Sequence, residues 1–102
     1  MALLHTVNKS PFERDALASC LAHALPGSVV LLIEDGVYAA AAGHALEERI
    51  RAALARLELF ALGPDLAARG IARERLIEGV GVVDYAGFVE LAVRCHAVQA
   101  WL

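Results

Sequence analysis

Chemistry in this chain rests on few side chains: two cysteines, four histidines and an acidic pair that closes an apolar run. Cys20 lies three residues after Leu17, on the inward stripe of an expected helix. A thiol there packs as a small hydrophobe. It is not at the helix start, where the helix field would lower its pKa. Packing is the simpler reading, and sulfur carriage or redox coupling is the functional one. Cys95 has the same inward position near a helix end and reads as structural. The two cysteines are far apart in sequence, show no CxxC spacing, and read as free thiols.

The histidines are His5, His23, His44 and His96, and none stands at zinc-ligand spacing from another His, Cys or carboxylate. His5 falls on an expected strand and reads as a hydrogen-bonded core residue. His44 follows Gly43 and is expected near the edge that carries Glu34 and Asp35, where it could handle protons. Glu34-Asp35 resembles an acid/base pair, yet sequence neighbours often point apart, and an Asp before Gly36 is the usual composition of a turn. Gly79-Val80-Gly81 precedes an expected strand rather than a helix, so it lacks the setting of a dinucleotide-binding loop. No nucleophile elbow or serine triad is visible. These residues give no sign of autonomous catalysis, and no cofactor or metal is expected.

The elements that must position these groups centre on Val29-Val30-Leu31-Leu32-Ile33. Five apolar residues without polar alternation fit a strand buried on both faces, central in a parallel sheet. Glu34-Asp35-Gly36 ends that run, and ligand sites of open α/β sheets gather at the carboxyl ends of strands. Residues 2–7 read as a first strand. Ser10-Pro11-Phe12-Glu13 has the form of a capping box with proline at the first helical position, predicting a helix to about Ala24. Val37–Ala42 suits a short helix of small residues. His44 to Leu57 predicts another helix, with Glu47 and Arg51 paired four apart. Leu59–Leu62 reads as a third strand and Asp65–Gly70 as a helical turn. Residues 71–78 read as a loop or irregular helix, and 80–83 as a fourth strand. Asp84 caps a helix over Tyr85–Arg94 that buries Phe88, Leu91, Ala92 and Cys95. Ala97–Leu102 is the fifth strand. The alternation predicts one domain over residues 1–102: a three-layer, doubly wound α/β fold with a mostly parallel five-stranded sheet.

Composition narrows the function classes. The chain is 59% hydrophobic over 102 residues, against about 45–50% in average soluble domains. So small a domain cannot hide that much apolar surface in one core, so the surplus is expected at subunit interfaces. No run approaches the roughly 18 apolar residues of a membrane span. The opening residues lack the pattern of a secretion signal, which predicts a cytoplasmic protein. Eight arginines and Lys9 are scattered among twelve acids, for a net charge of −3. That distribution argues against direct nucleic-acid binding.

Four stretches together resemble the DsrH/TusB family. They are His5-Thr6-Val7-Asn8-Lys9-Ser10-Pro11-Phe12; Leu31-Leu32-Ile33-Glu34-Asp35-Gly36-Val37-Tyr38-Ala39-Ala40; Val83-Asp84-Tyr85-Ala86-Gly87-Phe88-Val89; and Val98-Gln99-Ala100-Trp101-Leu102. The resemblance covers essentially the whole chain. Within the family it looks nearer to DsrH than to TusB, because Cys20 matches the cysteine position typical of DsrH. The resemblance implies a DsrEFH-like fold and a subunit of a cytoplasmic heterohexamer with DsrE/TusD-like and DsrF/TusC-like chains. Such a complex passes persulfide sulfur to a DsrC/TusE-type protein, in intracellular sulfur oxidation or in 2-thiolation of the tRNA wobble uridine. The sulfur-oxidation setting is the leading expectation and the tRNA setting the alternative. The acceptor chains of the family carry a cysteine just ahead of a helix ending in Arg-Gly. Here Gly63-Pro64-Asp65-Leu66-Ala67-Ala68-Arg69-Gly70 has no thiol, so the resemblance implies a non-acceptor subunit with Cys20 as an auxiliary thiol. A reading of another class is a small-ligand-binding regulatory domain that uses Glu34, Asp35, Gly36 and His44.

Overall fold

The apolar run forms β2 (Val29–Leu32), and all four of its residues are buried. In the computed structural model, which describes residues 2–102, β2 is the middle strand of five. β1 (Leu3–Val7) and β3 (Glu58–Leu62) flank it, and β4 (Gly81–Val83) and β5 (Ala97–Trp101) form the edges. The order is β4-β3-β2-β1-β5. All four pairings are parallel, so the sheet is wholly rather than mostly parallel.

Side chains alternate across the sheet, and the two faces bury different partners. Val7, Val30, Leu32, Leu59 and Ala61 pack with Leu17, Cys20 and Leu21 of α1 (Ala16–His23). Ile50 and Ala53 of α2 (Glu47–Ala53) and Leu66 of α3 (Gly63–Ala68) join the same cluster. On the other face, Leu4, Val29 and Leu31 meet Leu91 of α4 (Tyr85–Arg94) and Cys95 just past its end, with Phe88 and Ala92 only partly buried beside them. The chain winds one way from β1 to β4, then returns to place β5 outside β1. That reversal puts α4 alone on its face, as right-handed parallel crossovers require.

Local chemistry explains the boundaries. Asp84 caps α4 as expected, its Oδ1 accepting from the Gly87 N–H at 2.8 Å. The capping-box segment behaves differently. Ser10 Oγ accepts from the Phe12 N–H at 3.1 Å, and the Glu13 and Arg14 N–H groups reach the Ser10 carbonyl. The segment therefore closes into a turn of its own, and α1 starts later, at Ala16, without a side-chain cap. Glu34–Ala40 is a 3₁₀ helix, three residues ahead of the expected start. Within residues 71–78, Arg73–Arg75 forms one 3₁₀ turn, and Leu76 bridges antiparallel to Ala41. Arg56 Nη1 donates to Ala24 O at 2.9 Å and Nη2 to Leu21 O, satisfying carbonyls that the end of α1 leaves open. No helix among the described residues is long and apolar enough to cross a membrane.

Candidate functional site

The carboxyl ends of β1, β2 and β3 feed three segments that converge on one side of the sheet: the turn at 10–14, residues 34–44, and α3 with the loop after it. The segment after β2 is tightly fixed. Glu34 takes φ +50°, a left-handed conformation uncommon for a side-chain-bearing residue. Its N–H donates to Asp65 Oδ2 at 2.6 Å. A Cβ on Gly36 would stand 2.1 Å from the Val7 carbonyl oxygen, so only glycine lets this segment cross the end of β1. Asp35 is not free. Its Oδ1 accepts from both Nε and Nη2 of Arg69 at 2.9 Å. Arg69 also donates from Nη1 to the Asp65 carbonyl at 3.2 Å.

His44 sits apart from this carboxylate knot. The Leu46 N–H donates to its Nδ1 at 3.0 Å, so Nε2 carries the proton and donates to Ala39 O at 2.8 Å. Both ring nitrogens are committed to main chain, and Phe12 packs edge-on at 5.9 Å. Next to His44, Glu47 accepts from the Gly43 N–H at 2.6 Å and from Arg51 Nε at 2.8 Å. Those two bonds, the backbone one first, hold its carboxyl below the usual range.

A cleft of about 290 Å³ opens at this edge, lined by Phe12, Tyr38, His44, Arg69, Ile71 and Arg75 together with residues 41–43. Of the expected edge residues, His44 lines it. Glu34, Asp35 and Gly36 stand outside, where Asp35 and Asp65 anchor Arg69. The sequence reading missed Phe12, Tyr38, Arg69 and Arg75, which no spacing links. Their common signal is that each follows the carboxyl end of a strand.

The thiols lie elsewhere. Cys20 is completely buried, and burial pushes its pKa up to about 12. The Cys95 side is likewise closed, at 5% exposure. His5 is buried as expected, and its Nδ1 accepts from Trp101 Nε1–H at 3.0 Å. The outer side of α4 is apolar: Tyr85, Val89 and Val93 recur every four residues and are 61%, 62% and 81% exposed.

A parallel five-stranded sheet of this order, with one helix alone on one face, defines the class. The crystal structure of the ychN protein from E. coli superposes with a TM-score of 0.81 over 98% of both chains at 15% identity. MTH1491 from Methanobacterium thermoautotrophicum gives 0.74 over 96% of both at 16% identity. Sequence adds the family. Residues 9–98 match the model for "DsrH like protein". Protein TusB of Pectobacterium parmentieri is 36% identical over 97% of this chain and all of its own. Protein TusB of Shigella flexneri is 35% identical over the same spans. The chain belongs to the DsrH/TusB family of sulfur-relay proteins.

Proposed function

We propose that the chain is a non-acceptor subunit of a TusBCD-type relay. In this reading it works in the cytoplasm, within a heterohexamer with TusD-like and TusC-like chains. The complex passes persulfide sulfur to a TusE-type carrier for 2-thiolation of the tRNA wobble uridine. The observation that carries this is the full-length likeness to proteins named TusB. It moves the emphasis from the sulfur-oxidation setting, which rested on Cys20, to tRNA thiolation. Two features of the molecule support a scaffolding role. Cys20 is sealed in the core with its thiolate disfavoured. The outer stripe of α4 exposes valines that the apolar-rich composition anticipates at a subunit boundary.

The sulfur-oxidation setting is the second reading, favoured by Cys20 at the position typical of DsrH. Deleting the gene in the source organism separates the two. Loss of wobble 2-thiouridine from digested tRNA is expected, and full thiolation in the deletion strain overturns the proposal. Assembly has its own check. Co-expressed with TusC- and TusD-like chains, this chain should elute in one stoichiometric complex.

A further inference from the structure

We propose that the cleft at the carboxyl edge binds a small organic anion: a flat ring carrying a phosphate, sulfonate or carboxylate group. The inference is independent of the relay reading, since it uses neither thiol nor partner subunit.

Charge is the first argument. Acids outnumber bases in this chain, and its net charge is −3. Yet both charged side chains that line the cleft are arginines, and no carboxylate lines it. Three nearby acids are turned to other work. Asp35 holds Arg69 at 2.9 Å, Asp65 accepts from the Glu34 N–H, and Glu47 faces Gly43 and Arg51. Arg69 is thereby fixed in place, its charge paired with Asp35 at 2.9 Å and with Asp65 at 3.9 Å. Arg75 makes no ion pair among the described residues and supplies the uncompensated charge. Guanidinium groups suit oxyanions because their planar donors match two oxygens at once.

Shape is the second argument. Phe12 is 68% exposed and Tyr38 38% exposed, and both line the same cleft. Aromatic faces of this kind are suited to stacking a flat ring. The volume, about 290 Å³, lies just below the roughly 300–1,000 Å³ typical of ligand sites, which suits a small ligand. The walls are built rather than loose. The Ala42 N–H donates to Arg75 O at 2.9 Å, and the Ile77 N–H donates to Ala40 O at 2.8 Å, stitching the arginine-bearing loop to the residues before Gly43.

The test uses the full-length chain, labelled with ¹⁵N and titrated with benzoate, phenyl phosphate and adenosine 5′-monophosphate. Adenosine and inorganic phosphate serve as the ring-only and anion-only halves. At least one intact probe should give saturable amide shifts confined to residues 38–44 and 69–75. Its affinity should exceed that of either half. Arg75→Ala should weaken it about tenfold, the scale of a charge-assisted hydrogen bond. Arg94→Ala, at the opposite edge of the sheet where Arg94 pairs with Glu58 at the start of β3, should leave it unchanged. The proposal is overturned if no intact probe saturates by about 10 mM, the weak limit for fragment-sized ligands. It is equally overturned if inorganic phosphate binds as well as the intact probes, or if Arg94→Ala weakens binding as much as Arg75→Ala.

Discussion

Cys20 shows how burial decides what a functional group can do. A thiol with a pKa near 12 is almost wholly protonated at neutral pH and is a poor nucleophile. An aromatic disulfide reagent should leave both cysteines unmodified in the folded chain and modify both in urea. Cys20→Ala is the informative variant, because serine would bury a hydroxyl where the sulfur makes no hydrogen bond among the described residues. That burial would cost about 1–3 kcal/mol. The assembled Cys20→Ala complex should transfer sulfur at the wild-type rate, and a large loss would restore Cys20 as a carrier. His5 predicts a pH dependence. Burial lowers its pKa in the folded chain from 6.5. Below that value the unfolded chain binds a proton that the native chain resists. Stability is therefore full above pH 6.5 and falls as the solution is acidified, by at most about 1.4 kcal/mol per pH unit. Urea midpoints at neutral and mildly acidic pH should show that fall, and His5→Phe should flatten it.

At the scale of elements, the crossing of residues 34–36 over the end of β1 is the most constrained joint. Gly36→Ala must displace main chain, not a pliable side chain, since the added carbon meets the Val7 carbonyl. A loss of about 3 kcal/mol or more is expected by chemical denaturation. This joint also marks where the sequence stopped being legible. Val29–Leu32 announced itself because complete burial leaves an unbroken apolar run. Asp84 was equally plain, because a cap and its helix are local, and of the expected stripe Leu91 and Cys95 are buried while Phe88 and Ala92 are partly so. The Ser10 box misled, since the same side chain can cap a helix or close an isolated turn, and the approach of Gly36 to Val7 is not local. For the same reason Arg69, Arg75, Phe12 and Tyr38 could not be grouped in advance. They meet only through the order of the strands, and sequence patterning does not determine that order.

The whole molecule exposes 5,441 Å², against about 5,500 Å² for a folded monomer of this mass. The chain is thus not unusually compact. Large apolar side chains stand on its surface, with Val89 and Val93 of α4 on its most exposed helical stripe. Val93→Asp should leave the fold intact, because the side chain touches mainly solvent. It should also detach the chain from co-expressed partner subunits in size-exclusion chromatography. Co-elution of the variant at wild-type stoichiometry would place the interface elsewhere.

The pairing of β5 with β1 bears on how the chain is made. Leu3 lies opposite Ala97 and Val7 opposite Trp101. During synthesis the first strand therefore waits more than ninety residues for its outer neighbour. Until then its backbone donors and acceptors on that side are open, beside apolar side chains, in a form that invites stray strand pairing. Nascent chains stalled short of residue 97 should be those that chaperones hold and that aggregate when released.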